Sequence, residues 1–386
     1  MTIKKTTQHT PSWLEERGKE AVKKFDTLSA PQKDKQDIGM IDVSLFSLDI
    51  VSKRELQDEI KIISLPKDIV CLSLLAAAEH SLYGSLVKKY YGTLLPLETK
   101  NDALHYVSLL HSFFVFVPKK TTGKIPLRLE RNTYEPISSF HILLIAEAES
   151  DLTVILEEKS TGKQPGFVST FVESVLAEHA HITFVSLEEY DHNKQHYIRK
   201  NATVAKDAKM EWIEAYFGSL YTKTTVTAHL AENGATATNT TLFFGEEKQK
   251  FDITAQTYQH APHTFVDMNT IGVVTDTARS MCRGLIKIDQ PAYSSAGNQK
   301  IKTLLMNKDA QANAIPSMQI DNFDVHATHE SSVGQISKDK LFYLMSRGLD
   351  EKKARVKIVE GYFQQLTALI PDVTIQKYIM SLIQKK

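Results

Sequence analysis

Cysteine is almost absent from this chain: 386 residues hold two, Cys71 and Cys282, far apart and outside any Cys-x-x-Cys pair. That excludes a disulfide framework and a zinc site built on thiolates. It also excludes an iron–sulfur cluster held by four cysteines of this one chain. Charge of one sign is missing as well. Lys+Arg and Asp+Glu are both 46, so the formal net charge is zero, which gives no electrostatic case for nucleic acid or an anionic membrane surface. No apolar run reaches the roughly 18 residues of a membrane span. The stretch Met1 to Pro11 is polar and lacks the apolar core of a signal peptide. Both absences point to the cytoplasm. No Gly-x-x-x-x-Gly-Lys-(Ser/Thr) loop, Gly-x-Ser-x-Gly, His-Glu-x-x-His or dinucleotide fingerprint occurs. Any ATP-derived energy must therefore come from a partner.

What is present is ordinary globular composition, 42% hydrophobic and 24% charged, enough for a large core and more than one folded unit. Residues 1–112 read as mainly helical. Trp13 to Phe25 is amphipathic, with Leu14, Val22 and Phe25 on one face and Pro11–Ser12 as its start. Residues 29 to 38 look like a linker. Apolar spacing predicts helices from Lys67 to about Tyr91 and from Asn101 to His111. Phe113 to Val117, ended by Pro118, then turns to strand chemistry.

From 113 to 325 short β-rich runs recur, among them Ile142–Ala146, Phe167–Val172, Met210–Phe217, Thr236–Phe244 and Leu285–Ile288. Gly, Asn and Asp punctuate them, as at Glu232-Asn233-Gly234-Ala235. Many short strands at repeated spacing mean a sandwich, barrel, propeller or β-solenoid. No strict repeat chooses among them. Residues 326–386 take up helical spacing after the last strands. Ser337 is a good N-cap with Asp339 in the first turn, and Leu341, Leu344 and Met345 form an apolar face. Gly348 fits the left-handed position that ends the helix. Asp350 can cap the next helix, whose stripe is Val356, Val359, Phe363, Leu366 and Ile370, and Pro371 stops it.

Three residues between these regions have the chemistry of a metal site: His326, His329 and Glu330. On a strand, positions 326 and 330 share a face and 329 points the other way, so the trio cannot meet one ion unless the chain bends. By spacing alone these are ordinary hydrogen-bonded histidines. His260 and His263 flank Ala261-Pro262, a weak metal pattern that reads first as a turn. Cys282 and Cys71 read as small buried apolar groups.

The segment His326 to Gly348, with Thr328-His-Glu-Ser-Ser-Val-Gly-Gln335 followed by Leu341-Phe-Tyr-Leu-Met-Ser-Arg-Gly348, resembles the SufB/SufD family of iron–sulfur cluster assembly proteins. Arg283-Gly-Leu-Ile286 and the opening Pro11-Ser-Trp-Leu…Arg17…Phe25 are similar to family segments too. The resemblance covers most of the chain, weakly between 30 and 200 and strongly after 260. Where SufB-type chains carry a cysteine, this sequence has Ile301, and the opening looks SufD-like, so the resemblance favours SufD over SufB.

The resemblance implies a right-handed parallel β-helix core with an inward row of Val, Ile, Leu and Phe. Terminal helices would cap its open ends. It implies a scaffold subunit of a SufB–SufC–SufD complex and not an enzyme. His329, with Glu330 beside it, would serve a nascent iron–sulfur cluster shared with a SufB-like paralogue. Leu341, Phe342, Tyr343, Arg347 and Gly348 would dock SufC, an ABC-type ATPase whose ATP-driven dimerisation would shift the helices and expose the shared site. Nothing in the sequence designates a flavin. The alternatives are a SufD-like homodimer acting with SufC alone, and a β-solenoid polysaccharide-active enzyme.

Overall fold

The computed structural model describes residues 11–29, 38–41, 43, 59–162 and 164–385. In chain order the strands are β1 (Glu59–Ser64), β2 (Val70–Ser73), β3 (Leu109–Val117), β4 (Leu127–Thr133), β5 (Ile137–Ala146) and β6 (Asp151–Ser160). Next come β7 (Gly166–Leu176), β8 (His181–Glu189), β9 (Lys194–Val204), β10 (Lys209–Tyr216), β11 (Tyr221–Leu230) and β12 (Thr236–Gly245). The last six are β13 (Lys250–Gln259), β14 (Phe265–Val274), β15 (Arg279–Ile288), β16 (Ser295–Leu305), β17 (Gln311–Ile320) and β18 (Val325–Gln335). The helices are α1 (Ser12–Thr27), α2 (Leu74–Glu79), α3 (Gly84–Tyr90), α4 (Lys100–Val107), α5 (Lys338–Ser346), α6 (Glu351–Thr367) and α7 (Val373–Lys385).

Successive strands alternate between two nine-stranded sheets. One runs β1-β4-β6-β8-β10-β12-β14-β16-β18, the other β17-β15-β13-β11-β9-β7-β5-β3-β2. From β3 onward every pairing is parallel, which makes a parallel β-solenoid of about eight turns. Partners on adjacent coils lie 26 residues apart at Gln195 and Tyr221 and 32 apart at Arg279 and Gln311. One corner of each coil is set by a left-handed residue. Lys120, Glu149, His179, Asp207, His263 and Ser294 have φ between 52° and 60°, and Gly234 has 71°. The amide of each such residue donates to the next coil, as Glu149 to the Glu178 carbonyl at 3.0 Å and His179 to Lys206 at 2.9 Å. The repeat is thus one of backbone conformation and not of residue type, which is why no strict repeat shows in the sequence.

Alternation along each strand decides what enters the lumen. Leu129, Val154, Phe184, Met210 and Trp212 face in and form one cluster with Phe140, Leu144 and Val172 of the other sheet. The inward row is not purely apolar, as expected, but carries Arg131, Glu158, Glu188, Lys200 and Glu214, all buried. The lumen makes this tolerable, because each charged side chain finds a partner on the next coil or across the lumen. Arg131 Nη1 donates to Glu158 Oε1 at 3.0 Å, and Lys200 Nζ donates to both oxygens of Glu214 at 2.8 and 2.7 Å.

The helices cover the sides of the solenoid, which corrects the expectation that they cap its ends. Val359, Phe363, Ile375 and Ile379 of α6 and α7 pack on Ile155, Val185, Ile213, Leu242 and Ile271, outward residues of one sheet. On the other sheet Phe25, Ala103 and Leu104 cover Ile137, Phe167 and Phe171, while Leu74, Val87 and Tyr91 cover Phe114, Leu143 and Ile145. The cause is sequence: both faces of these strands are apolar, so each outer face needs a cover. The N-terminal end of the stack is closed by antiparallel strands, β1 on β4 and β2 on β3. At the other end, among the described residues, β17 and β18 have no further strand beside them.

Two helix expectations need correction. Lys67–Tyr91 is not one helix. Val70–Ser73 pairs with Phe113–Phe116, and only after Ser73, whose hydroxyl accepts from the Ala76 amide, do α2 and α3 follow. The helix expected to reach His111 stops at Val107, since β3 begins at Leu109 to pair with β5. Most of the expected linker, residues 30–37, lies outside the described residues. α1 is present as expected, but it buries Ala21 and Phe25 and leaves Val22 of the expected face exposed. Ser337 and Asp350 cap α5 and α6, accepting from the Lys340 and Lys353 amides, and Gly348 has φ +92°. No described helix is long and apolar enough to cross a membrane.

Candidate functional site

β18 forms the free edge of its sheet, and its register with β16 fixes where each side chain goes. His326 lies beside Ala296, His329 beside Gln299 and Glu330 beside Lys300. On β16 the residues Ser295, Gly297, Gln299, Ile301 and Thr303 are the buried row. His329 therefore belongs to the lumen row, at the open mouth of the last coil, and is exposed there. His326 and Glu330 lie on the outer face, also exposed. The structure does not bring the trio together.

Glu330 is engaged on that outer face. Lys302 Nζ lies 2.8 Å and Lys300 Nζ 3.2 Å from its carboxylate oxygens. Hydrogen bonds from Lys302 and then Lys300 hold its carboxyl below the usual range. His329 makes no hydrogen bond among the described residues. Ile301 is buried two positions from Gln299 in the same row.

The other histidines are separate. His260 Nδ1 lies 2.6 Å from Asp289 Oδ2 and its Nε2 lies 3.2 Å from His229 Nδ1, so it sits in a hydrogen-bonded ladder. His263 occupies a corner at φ +56° with its ring edge-on to Tyr293. Among the described residues no group of three His, Cys, Asp or Glu is arranged to hold a metal ion. Burial pushes the thiols of Cys71 and Cys282 up to about 12, so both are protonated at neutral pH and neither is a ready thiolate.

A second surface follows directly. α5 buries none of its residues. Phe342 is 73% and Tyr343 57% exposed, and the Arg347 guanidinium lies 5.4 Å from the Tyr343 ring centre. Tyr343, Leu344, Ile358, Gly361 and Tyr362 line a groove of about 590 Å³ between α5 and α6. Of the expected apolar face of α5, Leu341 and Leu344 are half-buried and Met345 is exposed.

Sequence reasoning missed the lumen charges and the open end. The alternation at Leu127 to Thr133, with Arg131 in the apolar row, was the available signal for the first.

The model of the SUF system FeS cluster assembly SufBD core domain matches residues 130–362. The chain is 25% identical to the iron–sulfur cluster assembly protein SufD of Bacillus subtilis, over 97% of this chain and 94% of that one. It is 24% identical to SufBD family iron–sulfur cluster assembly proteins of Staphylococcus saprophyticus and of Staphylococcus aureus USA300. Those alignments cover 95% and 96% of this chain and 78% of each relative. With a solenoid of the expected kind and a core-domain match over more than half its length, the chain belongs to the SufB/SufD family of iron–sulfur cluster assembly proteins and is SufD-like.

Proposed function

We propose that this chain is the SufD-type scaffold subunit of a cytoplasmic SufB–SufC–SufD complex. In this reading its open solenoid end meets the corresponding end of a SufB-like paralogue. His329 stands at that junction and donates an imidazole nitrogen to the nascent cluster, the cargo of the complex. A neutral imidazole is a good iron ligand, and one donor from each side keeps the site labile enough for release. The paralogue supplies the thiolate that Ile301 cannot.

The observation that carries this reading is the coincidence of two features. The histidine of the lumen row of β18 lies at the stack end that, among the described residues, has no closing strand. An exposed parallel edge of two long strands calls for a partner. We further propose that Leu341, Phe342, Tyr343, Arg347 and Gly348 form the docking surface of a SufC-type ATPase. Glu330, turned outward and held by two lysines, joins the site only if Lys300 and Lys302 release it. His326, His260 and His263 take no direct part.

The test is His329→Ala in the co-expressed complex under anaerobic conditions. Cluster formation should fall to background while the subunits still assemble. Cluster formation at wild-type yield would overturn the assignment.

A further inference from the structure

Gln299 is the neighbour of His329 in register and one coil deeper in the lumen. It is 3% exposed. Neither its amide nitrogen nor its amide oxygen has a hydrogen-bond partner. A buried primary amide with all its groups unpaired is costly, and an apolar side chain of the same shape would be cheaper. The fold makes room for it nonetheless. Across the lumen stands Gly284, where a Cβ would collide with the Gln299 amide nitrogen. The pair Gly284 and Gln299 thus keeps an unsatisfied polar group directly beneath the mouth where His329 stands.

We infer that Gln299 is a positioning residue for His329. On this inference the imidazole turns toward Gln299 Oε1, unpaired in this structure, and donates one N–H to it, which fixes the tautomer and turns the other nitrogen's lone pair out through the open end. Metal-ligating histidines commonly donate their second N–H to a carbonyl or carboxylate. His329 has no carboxylate on its own face, since Glu330 points the other way. The amide of Gln299 is the carbonyl-type oxygen that the register places next to it. The reach is short, because side chains on the same face of in-register parallel strands stack at the interstrand spacing of about 4.8 Å. This inference rests on the proposed role of His329 and adds the group that orients it.

The test uses the full chain with Gln299→Met, which keeps the volume and removes the polar atoms. Three readouts are taken. First, ¹⁵N NMR of the imidazole of His329, assigned by its loss in His329→Ala, should report a single tautomer in the wild type and a mixture in Gln299→Met. Second, the melting temperature of Gln299→Met should stay close to the wild type, because the bond it removes is to an exposed side chain at the open end. Third, cluster yield in the co-expressed complex should fall about tenfold, the usual scale for losing such an outer partner. An unchanged tautomer ratio overturns the inference, whatever the yield does. A markedly lower melting temperature also overturns it, since the amide would then hold the fold rather than the imidazole. Wild-type yield in Gln299→Met with loss in His329→Ala overturns the role of Gln299 and leaves that of His329 standing. Wild-type yield in His329→Ala overturns the underlying reading itself.

Discussion

Glu330 faces away from His329 although the two are adjacent in sequence: one lies beside Lys300 on the outer face of β18, the other beside Gln299 on the lumen side. Their separation predicts different phenotypes. Glu330→Gln should retain more than half of the cluster yield in the complex, while His329→Ala should abolish it. Iron and acid-labile sulfide per complex, measured side by side, check this. Equal losses in both variants would mean that β18 bends to bring the two groups together.

The lumen charges make a prediction about stability. Arg131 and Glu158 are both fully inside, and Thr170 and Tyr190 also donate to the same carboxylate oxygen, at 2.6 and 3.0 Å. Removing one partner leaves an uncompensated buried charge. Arg131→Met should cost about 3–5 kcal/mol. The double variant Arg131→Met with Glu158→Leu should recover much of that loss, because a buried ion pair is itself worth little against apolar packing. Urea unfolding of the two variants checks both statements.

A pH prediction comes from the outer face of one sheet, where His181 lies between two carboxylates. Its Nδ1 is 3.0 Å from Asp151 and its Nε2 is 2.9 Å from Glu211. Hydrogen bonds to Asp151 and then to Glu211 raise its pKa to about 9. Burial alone would raise the pKa of Glu211, but hydrogen bonds from His181, Lys209 and Thr183 bring it down to about 2. A raised histidine stabilises the fold fully below its unfolded value, near 6.5, and loses that contribution as pH rises through 9. A depressed carboxylate contributes above about 4.5 and loses its share as pH falls through 2. Melting temperature should therefore decline between pH 6.5 and 9 in the wild type, and less steeply in His181→Asn. Parallel declines in the two proteins would contradict the assignment.

The docking surface proposed on α5 separates binding from folding. Phe342→Asp and Tyr343→Asp change exposed residues with no buried neighbours on their helix, so stability should stay within about 0.5 kcal/mol of wild type. Capture of the ATPase subunit in a pull-down should nevertheless be lost. Full capture by the double variant would place the ATPase elsewhere.

Much of the architecture was readable from local chemistry. The strands at Phe167–Val172, Met210–Phe217 and Thr236–Phe244 carry β-branched and aromatic runs bounded by turn residues. The caps Ser337 and Asp350, and Gly348 after α5, follow from side-chain hydrogen bonding and left-handed backbone. What escaped the reading depends on contacts between distant coils. Val70–Ser73 has helical spacing around it but is captured as a strand by Phe113–Phe116. β9, with Lys194, His196, Arg199 and Lys200, looks too polar for a buried strand until Glu214 of β10 and the Thr170 hydroxyl of β7 are seen to meet Lys200 and His196. Opposite faces for His329 and Glu330 were legible from the two-residue period of a strand. The open end beside them was not, because it depends on where the C-terminal helices pack, and the outward apolar residues of five other strands draw α6 and α7 to the side of the solenoid.

The most direct test is anaerobic co-purification of the tagged chain from its native host, with partners identified and iron and sulfide quantified. We expect a cysteine-bearing paralogue and an ABC-type ATPase to accompany it, with iron and sulfide present in the wild type and missing from the same complex carrying His329→Ala. Recovery of the chain alone, or of a complex whose iron and sulfide are indifferent to His329, would contradict the account.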